Sequence, residues 1–428
     1  MKWGPYGRRP LAVLCLVGLV DSFDKGVLPA VIEAVQRDLH FGDQAAGLLN
    51  TALIVPAILL AVPGGRLTDR LDRRILITAV LAVWSAATVL AAASQRYWQL
   101  FTMRCFLGGG DAFNDPAVQS LVSDYYPVEV RGRAYAWQRV VPTVGIGLGT
   151  ALGGLVFHLA GWRVAVLSVG LPGILVALWV RRLPLPARGH SDVHVQAVTE
   201  EGDALGFWDA VRAVWAVPSL RVLLGATAFI NGILTALGFW GIAYHIRASG
   251  LSESAAPAIA GSVILLGAVA GGVGGGIATD KLRGRVPGAL MLLTSGVTAA
   301  GTVLLFVSFL DGMPVYSVRL PLQMLGVALV VSALPPITCI AAECVPAGLR
   351  GMSFGLLKLG ANTLSAVAPP IIGTIASTHM VRIHTGELKG DLGLAFRWAT
   401  PVILIGSALM LLGTRHLDRD VARALDPV

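Results

Sequence analysis

Charged residues are scarce in this chain: Asp, Glu, Lys and Arg make up 14% of its 428 residues, against about 25% in a typical soluble domain. Hydrophobic residues reach 55%, and the mean hydropathy is +0.72. The four cysteines have no zinc or haem spacing, and the glycine-rich run at 271–276 lacks the Gly-Lys-Ser/Thr ending of a phosphate-binding loop. The sequence therefore argues against a soluble enzyme and indicates an all-α polytopic membrane protein that needs no metal or cofactor.

Apolar runs long enough to cross a bilayer recur along the whole chain, and a window of about 19 residues identifies twelve of them. We place these runs at 10–36, 43–64, 75–94, 97–124, 133–158, 162–182, 219–246, 254–278, 286–309, 315–342, 351–377 and 394–414. The first lacks a signal-peptide cleavage site and is interpreted as a retained helix. The pattern predicts a six-helix bundle over 1–182, a cytoplasmic linker over 183–218 and a second six-helix bundle over 219–428.

Within the linker, Trp208, Val211 and Trp215 share one helical face, which is typical of a short helix on the membrane surface. An early start of the seventh span is the alternative that the sequence leaves open.

The basic residues report topology. If the N-terminus is inside, 21 of the 33 Lys and Arg residues fall on the cytoplasmic side, eight fall outside and four lie within helices. This bias predicts that both termini are cytoplasmic. We expect the chain to lie in the cytoplasmic (inner) membrane. The formal net charge of +8 is therefore not evidence for a nucleic-acid partner.

Two pairs of motifs repeat between the halves of the chain. GRLTDRLDRR at 65–74 matches GIATDKLRGR at 276–285, and DYYPVEVRGRA at 124–134 matches ECVPAGLRGMS at 343–353. Because both pairs are separated by nearly the same offset, they imply a duplicated six-helix unit. Repeats of this kind, with a site at their interface, are a transporter architecture.

With these motifs, nearly the whole chain resembles the major facilitator superfamily, whose signature between its second and third helices is similar to GGRLTDRLDRR. The resemblance implies twelve helices in two pseudo-symmetric bundles and a cytoplasmic gate centred on Asp69. The candidate gating residues are Asp69, Arg70, Arg73, Asp280 and Arg131.

Within that superfamily the chain is most similar to the Spinster-like branch, through residues 23–49, RCFLGGGDA at 104–112 and the DYYPVEVRGRA stretch. Lys25 stands where this branch usually has Arg, and Asp111 where it usually has Glu. The resemblance implies transport of lysophospholipids or related amphipathic lipids, and the two departures leave the substrate open.

Charged residues also lie inside predicted spans. Burying Asp24, Lys25, Arg104 and Asp111 unpaired would cost roughly 10–14 kcal/mol, whereas a whole protein is stable by only about 5–15 kcal/mol. They must therefore pair or line a wet cavity, and we expect Asp24 to lie near Arg104 or Asp111. Asp24 and Asp111 are the predicted protonation sites, while Asp21 and Asp115 could be functional or structural.

Further polar residues are predicted to bind substrate. Together with Lys25 and Arg104, the candidates are Arg139, Asn231, Tyr244, Lys358 and Asn362. Trp240 and His245 are further candidate cavity residues, although Tyr244 and above all His245 could instead lie at the membrane interface. The intramembrane cations favour a substrate that carries a carboxylate or phosphate. Glycines at 145, 149, 153 and 154 partly match an antiporter signature, which favours export slightly, but a glycine face more often serves close helix packing.

The function predicted from the sequence is proton-coupled secondary transport of an amphipathic or anionic substrate by a monomer in contact with membrane lipid. A small organic-anion symporter or an exporter of drug-like amphiphiles is the alternative within transport. A non-transporting sensor and a membrane enzyme are the alternatives outside it.

Overall fold

The structure is a computed structural model that describes residues 6–126, 128–186, 207–282, 288–346, 349–383 and 386–425. Nearly all of these residues are helical. The helices are α1 (Arg9–Leu39), α2 (Asp43–Arg70), α3 (Arg73–Ala92), α4 (Tyr97–Tyr125), α5 (Val128–Arg181), α6 (Phe207–Ala216), α7 (Pro218–Ser249), α8 (Ala256–Leu282), α9 (Ala289–Ser308), α10 (Leu320–Ser332), α11 (Leu334–Glu343), α12 (Arg350–Thr378), α13 (Leu392–Ala399) and α14 (Ile403–Leu425).

The fifth and sixth predicted spans form the two limbs of α5. The backbone leaves helical geometry at Gly161, where φ is 83°. Because glycine lacks a Cβ, it adopts this positive φ without steric cost. The bend falls between residue 158, where the fifth predicted span ends, and residue 162, where the sixth begins. α5 therefore provides two helices rather than one long one.

Two other predicted spans are divided in the structure. The tenth consists of a π-helical turn (Val315–Arg319), α10 and α11, and α11 begins beside Pro335 and Pro336, which lack the amide proton that a continuous helix needs. The twelfth consists of α13, a 3-10 turn (Thr400–Val402) and α14. With these divisions taken into account, the helices correspond to the twelve predicted spans.

A short hairpin that the sequence does not predict precedes α13. Strands β1 (Met380–Arg382) and β2 (Leu388–Gly390) pair antiparallel. Three residues per strand are too few for a period-two pattern to be recognised in the sequence.

By length and composition, nine described segments could span a membrane, and one of them, Val140–Arg181, includes both limbs of α5. Helices α1 and α4 are long enough but are not among the nine. They carry the intramembrane charged residues Asp21, Asp24, Lys25, Arg104 and Asp111. The two least apolar long helices of the first half are therefore the ones with the candidate site.

The chain forms two compact units. The first comprises Met1–Gln196 with Gly241–Ile246 and Gly250–Gly261, and the second comprises Ala197–Trp240, Arg247–Ser249 and Ser262–Val428. The assignment of 183–218 as a linker stays a prediction, and residues 187–206 lie outside the described part of the chain.

In the first unit, α1 packs backbone to backbone against α5. A Cβ on Gly149 would lie 2.2 Å from the carbonyl oxygen of Phe23, and one on Gly26 would lie 2.4 Å from that of Ile146. Only glycine permits this approach. The helix-5 glycines therefore have a packing role in the structure, and their resemblance to an antiporter signature stays untested.

In the second unit, hydrogen bonds fix the helix ends and interior. The indole of Trp240 on α7 donates to the carbonyl of Pro369 on α12 at 2.8 Å. The Asp420 carboxylate accepts from the amide of Ser219 at 2.9 Å, which ties the end of α14 to the start of α7. Trp240, a candidate cavity residue, is thus fully buried between two helices.

Candidate functional site

Helix α1 presents three charged side chains on little more than one turn. Asp21, Asp24 and Lys25 are separated by three and four residues, so they project to overlapping sides of the helix. α1 is held close to α5 by the glycine contacts described above. This packing leaves the charged side of α1 facing α4.

Asp24 is paired with Arg104 of α4. An Oδ2 oxygen of Asp24 lies 3.0 Å from Nη1 of Arg104, and the two side chains are 13% and 5% exposed. The predicted proximity of Asp24 and Arg104 is confirmed. Their predicted roles are not tested by this contact, since a buried pair could also be purely structural.

Asp111 is paired with Lys25 rather than with Asp24. The Lys25 ammonium lies 2.9 Å from Oδ2 of Asp111 and 2.8 Å from Oδ2 of Asp21. Asp21, left open by the sequence, is therefore part of the cluster. We call Asp21, Asp24, Lys25, Arg104 and Asp111 the α1–α4 cluster.

The α1–α4 cluster has more carboxylates than cations. Three carboxylates face two cations, so the formal charge of these five side chains is −1 when all are ionised. The sequence suggested a cationic cavity, but in the structure both Lys25 and Arg104 are already matched by carboxylates. An additional positive charge, such as a proton, would make the cluster neutral.

A small cavity of about 20 Å³, enough for a water molecule, opens onto the cluster. Its wall includes four of the charged residues, Asp21, Asp24, Lys25 and Asp111, together with side chains of α2, α3 and α5. The apolar part comes from residues such as Leu53, Leu81, Leu107 and Val169. The site therefore combines ionisable groups with an apolar wall.

Trp84 of α3 is a member of this wall that sequence reasoning missed. It is 6% exposed, and its indole nitrogen donates to the carbonyl oxygen of Leu107 at 2.9 Å. In the sequence, Trp84 stands in an apolar run, where an aromatic side chain normally indicates plain packing. The charged residues nearest to it in the sequence, Arg74 and Arg96, are at least ten residues away, so the sequence gives no sign that Trp84 belongs to a site.

The candidate residues of the second half lie on two helices, α7 and α12. Asn231 donates to the carbonyl of Thr227 on its own helix at 3.0 Å. Lys358 is exposed and Asn362 half-buried on α12, whereas Tyr244 and His245 are buried on α7. The side chains of Arg139 and Asp115 lie outside those that the structure describes.

One of the candidate gating residues is in a buried ion pair. Arg73, at the start of α3, pairs with Asp124 near the end of α4, and its Nη1 atom also donates to Ser120 at 2.7 Å. Asp124 opens the DYYPVEVRGRA stretch, so the two signature motifs of the first half meet in space. Asp280 is exposed, and the side chains of Asp69, Arg70 and Arg131 lie outside those described.

Asp72 begins α3 beside this pair. Its carboxylate accepts from the amides of Arg74 and Ile75, at 2.8 and 3.5 Å, which caps the helix. Burial acts to raise the pKa of Asp72, but hydrogen bonds and the charge of Arg74 outweigh it and lower this pKa below its ordinary value. Arg74 also donates to the carbonyl of Leu183 at 2.8 Å, so the start of α3 is tied to the segment that follows α5.

The segment preceding α7 forms a separate helix, α6, so the alternative of an early start of α7 is wrong. Trp208 and Trp215 of α6 are exposed, while Ala210 and Val214 are buried. The exposed aromatic side fits the predicted position on the membrane surface, which itself stays a prediction.

Comparisons with known proteins agree with this architecture. The family model described as Major Facilitator Superfamily matches residues 14–370. Protein spinster homolog 3 of Mus musculus is 26% identical over 447 residues, covering 100% of this chain and 86% of its own. The Bacillus subtilis (strain 168) protein named "Probable galactarate/D-glucarate transporter GudP" is 26% identical over 424 residues, covering 94% of this chain and 90% of its own.

Among solved structures, a bacterial homolog to the human lysosomal transporter Spinster, in an inward-facing and unoccupied conformation, superposes with a TM-score of 0.85. It is 22% identical, and the match covers 97% of this chain and 98% of the other. At this identity the likeness shows the fold. Together with the family match, the fold is that of transporters rather than enzymes: this multi-pass membrane protein belongs to the major facilitator superfamily and is similar to the Spinster proteins within it.

Proposed function

We propose that this protein is a proton-coupled secondary active transporter that moves an amphipathic or anionic substrate across the cytoplasmic membrane. The observation that carries the proposal is the α1–α4 cluster, in which Lys25 and Arg104 each contact carboxylates inside membrane-spanning helices. Groups of this kind within a membrane span mark ion and substrate pathways in general. Alternating access would occur between the proposed bundles 1–182 and 219–428, with both termini in the cytoplasm.

Protonation of the cluster supplies a site for an anion. When Asp111 is ionised, it occupies the Lys25 ammonium at 2.9 Å. When Asp111 takes up a proton, it loses its attraction for Lys25, and a substrate carboxylate or phosphate can take its place. Protonation of Asp24 releases Arg104 in the same way.

Proton and anion therefore favour each other's binding. The proton makes the cluster, of formal charge −1, neutral. The anion then returns the total charge to −1. By linkage, whatever factor the proton adds to anion affinity, the anion adds to proton affinity. Co-transport of the two in one direction follows from this mutual preference.

The substrate we favour is a lysophospholipid or a related amphipathic lipid with an anionic group. Support comes from the Spinster-like resemblance and from the apolar part of the cavity wall. A small dicarboxylate is the second candidate, and the match to the galactarate/D-glucarate transporter of B. subtilis favours it.

The experiment is flux into proteoliposomes that contain the purified full chain. An acidic outer buffer should drive accumulation of labelled lysophosphatidate or galactarate, whichever is the substrate, and Asp24→Asn or Asp111→Asn should abolish the effect of the proton gradient. Asp209→Asn is the matched control, since Asp209 on α6 is 58% exposed in its pair with Arg212. Binding without flux would identify a sensor, and full pH-driven flux in both variants would refute the proton sites.

A further inference from the structure

Trp84 connects α3 to the turn of α4 that precedes Asp111. The indole nitrogen donates to the carbonyl of Leu107 at 2.9 Å. In an α-helix the carbonyl of residue i accepts the amide of residue i+4, so the Leu107 carbonyl also serves the amide of Asp111. A carbonyl oxygen has two lone pairs and can accept both donors. The indole is thus anchored to the peptide group on which Asp111 itself depends.

Gly110 makes this arrangement possible. A Cβ added to Gly110 would lie 2.1 Å from the indole nitrogen of Trp84. The neighbouring Gly109 differs, because its added Cβ would meet only the end of the Leu60 side chain, at 3.3 Å. The glycine next to Asp111 in the chain is therefore the one that leaves room for the indole.

Trp84 also lines the cavity that contains Asp111 and Lys25. The charged residues of that wall are Asp21, Asp24 and Lys25 from α1 and Asp111 from α4, with Arg104 of α4 paired to Asp24. Among the described wall residues, α2, α3 and α5 contribute none with a charge. From the α3 side, the wall near Asp111 is therefore made by neutral groups, among them the indole of Trp84.

We propose that Trp84 is a positioning residue for the proton-coupling carboxylate: its hydrogen bond to Leu107 fixes the α4 turn so that Asp111 reaches Lys25. This inference rests on the proposed function, in which Asp111 exchanges the coupling proton. Loss of the indole N–H lets the turn relax, weakens the contact between Asp111 and Lys25, and makes protonation easier at a given pH.

The test compares Trp84→Phe with Trp162→Phe by the pH profile of transport. Both wild-type indoles are buried and donate a hydrogen bond, Trp84 to Leu107 at 2.9 Å and Trp162 to the carboxylate of Asp38 at 3.2 Å, and Trp162 does not line the cavity at the cluster. Trp84→Phe should move the midpoint of the profile upward by about half a pH unit or more, which one neutral hydrogen bond can account for. Trp162→Phe should leave the midpoint in place, even if both variants lose thermal stability.

A second pair of variants protects the test against misfolding of Trp84→Phe. Gly110→Ala should displace the indole and shift the midpoint in the same direction, whereas Gly109→Ala should not. Gly110→Ala alone should lower the yield of folded protein, because the new Cβ meets the indole. The double variant Gly110→Ala/Trp84→Leu removes the indole and should restore that yield.

The outcomes separate the two proposals. If Asp111→Asn keeps the wild-type pH profile, the proton site is wrong and this inference falls with it. If Asp111→Asn removes the pH dependence but Trp84→Phe and Gly110→Ala keep the wild-type midpoint and only lower stability, Trp84 is a packing residue and the inference alone is overturned.

Discussion

Lys25 of α1 and Asp111 of α4 lie 2.9 Å apart, although 85 residues separate them in the chain. The same ammonium lies 2.8 Å from Asp21. Lys25 therefore has one carboxylate from its own helix and one from a neighbour. A change in the charge of either acid alters how strongly α1 and α4 attract each other, which links protonation to helix position.

Removal of Arg104 should destabilise the protein strongly. Arg104→Met leaves the Asp24 carboxylate buried without its cation, and breaking such a pair typically costs about 3–5 kcal/mol. Thermal unfolding in detergent should show a clearly lower Tm. Arg212→Met is the control, because Arg212 and Asp209 are 80% and 58% exposed and such pairs contribute only about 0–1 kcal/mol. Arg104→Met combined with Asp24→Asn should recover most of the loss, and an unchanged Tm in Arg104→Met would contradict the pairing.

Affinity for the anionic substrate should fall as pH rises. If one proton must bind to Asp111 before the anion, the dissociation constant increases by about tenfold per pH unit above the protonation midpoint. Isothermal titration over a pH series measures this slope. Asp111→Asn should bind with an affinity that varies much less with pH, and an affinity that rises with pH in the wild type would reverse the proposed coupling.

Gly149→Ala should lower the free energy of unfolding, because the new Cβ would lie 2.2 Å from the Phe23 carbonyl and backbone cannot move aside easily. Overpacking of this kind costs about 1–3 kcal/mol. Gly274→Ala on α8 is the matched control: an added Cβ there meets nothing within 4 Å, and the better helix propensity of alanine should be neutral or stabilising. Equal melting temperatures in both variants would mean that α1 and α5 do not pack this closely.

Asp72→Ala should destabilise the start of α3 by about 1 kcal/mol, the usual contribution of a helix cap, whereas Asp72→Asn should keep most of it. Since hydrogen bonds and the charge of Arg74 lower the pKa of Asp72 despite its burial, its carboxylate stabilises the fold at pH values above the pKa of the unfolded chain. That contribution disappears as pH falls through the lowered pKa. The difference in Tm between wild type and Asp72→Ala should therefore be constant near neutrality and shrink in strong acid; a difference that grew in acid would contradict this assignment.

The sequence predicted the membrane spans and the pairing of Asp24 with Arg104, and particular residues show the physical reason for each. Gly161 falls between two apolar runs, and the structure bends there. The cost of unpaired charge predicted a partner for Asp24, and Arg104 is that partner.

The partner of Asp111 could not be chosen in the same way. Asp24 and Lys25 are adjacent and project about 100° apart on a helix, so the rotation of α1 decides which of them faces Asp111. That rotation is set by contacts such as Gly149 with Phe23, which depend on the packed fold. Trp84 was missed for a related reason. Its partner is a backbone carbonyl, which every residue of α4 has, so the sequence does not show which residue the indole contacts.

The charge of the α1–α4 cluster has a consequence for the driving force. In the proposed cycle one proton accompanies one anionic charge, so a monovalent substrate crosses the membrane with no net movement of charge. Such a cycle is electroneutral: the pH difference drives it, and the membrane potential does not. Transport of a divalent substrate with one proton would instead be electrogenic. Because the cluster has one surplus carboxylate, the response of transport to membrane potential reports the charge of the substrate.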